Sequence, residues 1–211
     1  DIETVVSASE THNRANVNRS TSESLDEIAQ LIALAHDRGA TCHVTVATAW
    51  GCPYEGDVPV QRVVDIARRA IADGADGLSF GDTTGMATPT RVEALVGAIR
   101  MAHADVSLNL HFHNTRGTAL ANVLVALQLG VADFDASVGG LGGCPYAPGA
   151  SGNVASEELV HMVEDMGVDT GIDLEALIEV AREAERIVGR ELPSNVLRAG
   201  PRTRLTTFVP R

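Results

Sequence analysis

Along the chain, short β-branched or apolar runs alternate with longer stretches whose apolar positions recur three and four apart, a rhythm of strand followed by helix. The first strand is predicted at residues 4–7. After a loop, a helix runs from about 25 to 38, with Leu25, Ile28, Leu31, Ile32 and Ala35 on one face and Ser22 or Ser24 as its cap. Further strands are predicted at 42–47, 77–80, 106–111 and 133–138. Helices are predicted at 60–73, about 90–104 with Pro89 near the first turn, 118–129, about 156–166 and 174–188.

The junctions echo one another: Arg38-Gly39-Ala40, Asp73-Gly74-Ala75, Leu129-Gly130-Val131 and Met166-Gly167-Val168. Each glycine is placed to stop a helix, and the first three lead into strands. The strand starts lie near the ~30-residue repeat of a (β/α)8 TIM barrel, so the fold class is α/β with a parallel sheet. A doubly wound open sheet would show a glycine-rich phosphate turn after its first strand, and Ser7-Ala8-Ser9-Glu10 is not one. Five strands do not close an eight-stranded barrel. The expectation is that 1–211 form the C-terminal portion of a single TIM-barrel catalytic domain whose first three units precede this chain.

Composition narrows the chemistry. The net charge of -12 disfavours nucleic acid and anionic membrane surfaces as partners. No segment approaches about 20 uninterrupted apolar residues, so no membrane span is expected. All 16 basic residues are arginines. Without a lysine in this stretch, Schiff-base chemistry and a P-loop are excluded from it. Three cysteines, Cys42, Cys52 and Cys144, make a sparse and odd set that fits a reducing, cytoplasmic setting better than a disulfide framework.

The polar signals fall after the strands. His111 and His113, two apart at a strand's C-terminal end, share a side; they are read as two ligands for a divalent ion or as two surface histidines. The loop 139–153 holds six glycines, Cys144 and Asn153, and is either a closing lid or a structural glycine loop. Asp82, in Gly81-Asp82-Thr83-Thr84-Gly85, could orient a ligand or shuttle a proton, or could cap a turn. Gly51-Cys52-Pro53-Tyr54-Glu55-Gly56 reads as a turn with a polar tip. Trp50 is packing or substrate contact. His36, His43 and His161 read as isolated, and Glu157, Glu158, Glu179, Glu183 and Glu185 as solvated helix faces.

Taken together and in order, S-A-S-E-T-H-N-R-A-N-V-N (7–18), G-C-P-Y-E-G (51–56), G-D-T-T-G (81–85), H-F-H-N-T-R-G-T-A-L-A-N (111–122) and G-G-L-G-G-C-P-Y-A-P-G-A-S-G-N (139–153) resemble the 3-hydroxy-3-methylglutaryl-CoA lyase family. The resemblance runs over nearly the whole chain, and the cysteine loop is its most specific part. It implies a metal-dependent TIM-barrel lyase, grouped with related aldolases and Claisen-type synthases. The implied reaction is a retro-Claisen cleavage of the branched hydroxy-acyl thioester to acetyl-CoA and acetoacetate. It implies His111, His113 and Asn153 as metal ligands for Mg2+ or Mn2+, and Cys144, Asp82 and His111 as catalytic residues. Thr83 and Asn16 are the expected substrate contacts, an acyl-CoA the expected partner, and a homodimer the expected assembly.

The chain departs from the family pattern in three places. The first-strand Arg-Asp pair and the second-strand acid have no counterpart in these residues, so the chain alone is expected to be inactive. His43 and Thr45 stand where the family carries an arginine and a tyrosine, which points to a relative such as citramalyl-CoA as substrate. Asn114 stands where the family commonly has aspartate; His-x-His-Asn is the form of the related synthases that make isopropylmalate or homocitrate. A Claisen-type acyltransferase and a non-catalytic partial barrel are the alternatives.

Overall fold

The computed structural model describes residues 1–143 and 152–205, in two compact units. The first, Asp1–Asp135 with Gly143, is built on five strands: β1 (Ile2–Ser7), β2 (Cys42–Ala47), β3 (Gly77–Asp82), β4 (Ser107–Phe112) and β5 (Asp133–Asp135). All pair in parallel and in chain order, with no reversal, which is the order of a barrel arc and not of a doubly wound sheet. Five helices accompany the sheet in this unit, α1 (Glu10–Val17), α2 (Thr21–Asp37), α3 (Val60–Ala72), α4 (Pro89–Ala102) and α5 (Ala119–Gln128), and the second unit holds α6 (Ser156–Asp165), α7 (Leu174–Val188) and α8 (Asn195–Ala199).

Alternation along the strands separates two kinds of chemistry. Val44, Val46, Leu78, Phe80, Leu108, Leu110 and Phe112 are all at most 3% exposed, on the face that receives the helices. Each contributes about 1.5–3 kcal/mol of apolar transfer, and together they hold the unit. The residues between them form a polar face: Glu3, His43, Thr45, Ser79, Asn109, His111 and Asp135. Thr45 donates its hydroxyl to Glu3, and the His43 ring lies over Gly77, where a Cβ would come within 2.9 Å of it.

Local chemistry explains where the elements depart from expectation. The first long helix begins at Thr21, not Leu25, because Ser20 and Glu23 form a reciprocal capping box. The segment expected as a loop after β1 contains α1, capped by Ser9 through the His12 N–H. The fifth strand ends at Asp135 rather than Val138; a 3₁₀ turn over Val138–Gly140 follows, with Gly139 and Gly140 both at positive φ. Gly39, Gly74 and Gly130 stop their helices as expected, each in the left-handed region.

The second unit (136–142 and 152 onward) packs α6, α7 and α8 around Ile178, Ala181, Leu192, Val196 and Leu197. Glu157 and Glu158, expected on a solvated face, are 0% and 5% exposed. Glu157 accepts the Gly139 N–H at 3.1 Å and Glu158 accepts the Asn195 N–H at 2.5 Å, so both carboxylates serve as internal caps of backbone that charge patterning alone does not reveal. Gly139 also sets a packing limit. At φ 64°, a Cβ there would fall 2.3 Å from Leu192 Cδ1. The substitution G139A is therefore expected to destabilise the fold by about 2–4 kcal/mol, read as a lower urea midpoint; an unchanged midpoint would contradict the packing.

Candidate active site

The end of β4 brings two imidazoles together. The ring centroids of His111 and His113 are 5.2 Å apart, so their placement on one side, expected from the two-residue spacing, is observed. His113 is 5% exposed and its Nδ1 is buried with no hydrogen-bond partner among the described residues. Burial first, and the neighbouring His111 second, lower its proton affinity to a pKa of about 4. At neutral pH it is an uncharged imidazole carrying a lone pair in an apolar setting, the state a metal ligand requires. His111 is half-buried and meets Asp135 across the strand pair, Nδ1 to Oδ2 at 3.2 Å. The hydrogen bond from His111 is the main cause of the lowered Asp135 pKa.

Asp82 closes β3 and is 1% exposed. Its Oδ1 accepts the N–H groups of Met86 at 2.7 Å and Ala87 at 3.1 Å, so the turn-capping reading of this residue holds for one oxygen. The other, Oδ2, is buried and has no partner among the described residues. Burial raises its pKa to about 6, against the two backbone hydrogen bonds and the positive potential of Arg116 and His111. A carboxyl that titrates near neutrality can hold or release a proton, so both readings of Asp82 apply to the same side chain.

The loop after β3 is also held from the other side. Arg116 donates to the carbonyl of Thr84 at 2.6 Å, and Thr118 and Asn122 both donate to that of Ala87. These three follow the two histidines in sequence, so the acid and the imidazoles are registered through one set of backbone contacts. Periodicity does not reveal this clamp, because Arg116 and Thr118 read as ordinary loop residues.

At the ends of β1 and β2, Thr48 is a buried β-branched residue at φ 55°, a strained conformation. Its hydroxyl accepts the Ser9 N–H, and its own N–H donates to Thr83 Oγ1 at 3.0 Å. Thr83 is therefore a backbone anchor in this structure. Asn16 is exposed on α1, and Trp50 is buried against Phe112 with its Nε1 donating to the Arg91 carbonyl, a packing role.

Glu55 of the Gly51–Gly56 turn accepts from Thr11 N–H at 2.7 Å and Arg62 at 2.9 Å. Burial pushes its carboxyl up, but these bonds with the hydroxyls of Thr11 and Ser9 outweigh that and bring the pKa to about 2. A depressed carboxyl stabilises the fold above its unfolded value of about 4.3, and that contribution is lost as pH falls from there toward 2. E55Q is expected to cost about 1 kcal/mol at pH 7, a value reduced for solvent screening, and only a small part of that at pH 2, where the folded carboxyl is itself half protonated. Urea unfolding at both pH values checks this; equal losses at both would refute it.

Asn153, in the second unit, donates its amide nitrogen to Leu141 O at 2.8 Å, which fixes which end of the amide is oxygen. Cys144 lies outside the described residues. Among the described residues, no group of three or more His, Cys, Asp or Glu is arranged to hold a metal. A hollow of about 600 Å3 lines the polar face along its N-terminal half, bounded by Glu3, His43, Ser79, Asn109 and Asp135. The histidines lie beyond it, at the strand ends.

Comparison with known proteins gives a consistent set of likenesses. Residues 1–183 match the HMGL-like family model. The chain is 47% identical over 192 residues to the hydroxymethylglutaryl-CoA lyase YngG of Bacillus subtilis, covering 91% of this chain and 64% of that protein. It is also 47% identical over 197 residues to the (R)-citramalyl-CoA lyase of Chloroflexus aurantiacus, covering 93% of this chain and 62% of that protein. Among solved structures, an HMG-CoA lyase from Acinetobacter baumannii in complex with coenzyme A and 3-methylmalate superposes with a TM-score of 0.93 at 40% identity, over 98% of this chain and 68% of that one. The chain thus spans less than two thirds of the length of these two curated relatives.

Proposed function

Since the chain belongs to the HMGL-like family, we propose that it forms the larger part of a carbon–carbon lyase that cleaves a branched 3-hydroxy-acyl-CoA to acetyl-CoA and a keto acid. The observation that carries this is the presence at the ends of neighbouring strands of two buried groups, each with an atom lacking a hydrogen-bond partner among the described residues: His113, a neutral imidazole, and Asp82, an acid whose pKa burial raises to about 6. Cleavage needs a site that accepts negative charge on the substrate hydroxyl and one that manages a proton, and this stretch has no lysine to do either.

His111 and His113 are the residues of the first unit that would hold a divalent ion, Mg2+ or Mn2+. The chemistry such an ion supplies is charge neutralisation on substrate oxygens. The buried His113 nitrogen fits that use, since an unpaired polar atom otherwise costs stability. Asp82 holds a proton at Oδ2 and keeps its loop in place through Oδ1. Cys144 is the proposed acid for the departing acetyl-CoA carbanion. The buried free thiols Cys42 and Cys52 support a reducing compartment such as the cytoplasm. No helix of the described residues is long and apolar enough to cross a membrane.

The substrate is 3-hydroxy-3-methylglutaryl-CoA or citramalyl-CoA. Equal identity to lyases of both kinds, and His43 and Thr45 on the polar face, keep the second in play. Full-length protein supplied with Mg2+ or Mn2+ and each thioester in turn tests the reading. Release of acetyl-CoA is expected, with a 3-oxo acid from one substrate or a 2-oxo acid from the other. Consumption of acetyl-CoA with a 2-oxo acid, and cleavage of neither thioester, would overturn it in favour of a synthase.

A further inference from the structure

Asp135 stands apart from every motif in the chain, yet it is placed against His111. Its Oδ2 accepts the Asn109 side-chain amide at 2.8 Å and lies 3.2 Å from His111 Nδ1. Asn109 also donates to Ser79 Oγ at 3.2 Å, so β3, β4 and β5 are linked through one row of side chains on the polar face. We propose that Asp135 is a positioning residue that fixes the tautomer and ring orientation of His111, and that Asn109 holds Asp135 in place for this. The inference rests on the reading of His111 as a metal ligand.

The physical argument runs from donors and acceptors. An ionised carboxylate can only accept, so the nitrogen facing it must carry the hydrogen. The proton on His111 is thereby assigned to Nδ1, and Nε2 is left with its lone pair. In free neutral imidazole the two tautomers compete, and a ring that rotates presents the lone pair only part of the time. A carboxylate on the far nitrogen removes both freedoms and makes the near nitrogen more basic. His113 has no such partner among the described residues; its neutral state comes from burial. The two imidazoles are thus prepared by different means, one by desolvation and the other by a carboxylate.

Metal-free full-length protein labelled with 15N-histidine supplies a test that needs no variant. The His111 signal is expected in the form protonated at Nδ1, and a predominant Nε2-protonated form would overturn the proposal. Mn2+ titration followed by loss of the free-ion EPR signal then reads the consequence. D135A is expected to weaken Mn2+ binding by about 10–100-fold and to let the His111 tautomers mix, while D135N, which keeps an acceptor oxygen, loses less. Weaker binding with an unchanged tautomer would mean a merely structural role and would also overturn it. Absence of Mn2+ binding by the unmodified protein would instead refute the metal reading itself, leaving the tautomer measurement to decide the role of Asp135.

Discussion

The full-length H113A variant is expected to lose lyase activity by about a thousandfold or more. Several kcal/mol of charge stabilisation at the substrate oxygens depend on the proposed ligands, and each 1.36 kcal/mol is tenfold in rate. His113 is the stronger test of the pair, because it is buried with an Nδ1 that has no hydrogen-bond partner among the described residues, which packing does not explain. Alanine at this position also removes the unsatisfied nitrogen, so stability is expected to change far less than activity. The check is acetyl-CoA release with saturating Mn2+ together with a urea midpoint. A rate within tenfold of the parent would remove His113 from the site.

The second large effect concerns Asp82 and works in opposite directions on stability and rate. Its folded pKa of about 6 lies above the unfolded value of about 3.9, so between these the folded state binds the extra proton. Stability therefore falls as pH rises through this window, and above about pH 6 the fold carries the whole penalty of a buried charge. A rise of this size corresponds to about 2–3 kcal/mol. D82N keeps an oxygen for the Met86 and Ala87 N–H groups while removing the charge. It is expected to flatten the pH dependence of stability between about 4 and 6 and to reduce activity by about 10²–10⁴-fold, the range of a lost acid or base. A D82N stability profile that keeps the slope of the parent would show that another group causes it. Retained activity would leave Asp82 with only its capping role.

How much of this was legible in the residues varies with the distance over which the signal acts. The strand–helix alternation is local, and the first four strands lie where periodicity places them, within two residues at either end. The short fifth strand is misread because Phe134, Ala136 and Val138 continue an apolar alternation that the positive φ of Gly139 and Gly140 ends. The two histidines are visible because their spacing alone puts them on one side. Asp135, Arg116 and Asn122 are not, since each acts on a residue more than 20 positions away that only the sheet register brings near. Glu157 and Glu158 mislead for a related reason. Adjacent acids near a helix start suggest solvent, while their partners, Gly139 and Asn195, lie on segments that periodicity does not connect to α6.

Among the described residues, each strand of the first unit hydrogen-bonds only to its neighbours in the chain, and glycines at 39, 74 and 130 mark boundaries between successive βα steps. Cutting the gene at one of these glycines therefore severs a single strand pairing and leaves every other ladder inside one piece or the other. Such boundaries suit recombination between relatives. A chimera joined at Gly74 would inherit His43 and Thr45 from one parent and the histidine pair with Asp82 and Asp135 from the other, so that substrate choice and bond cleavage could be exchanged separately.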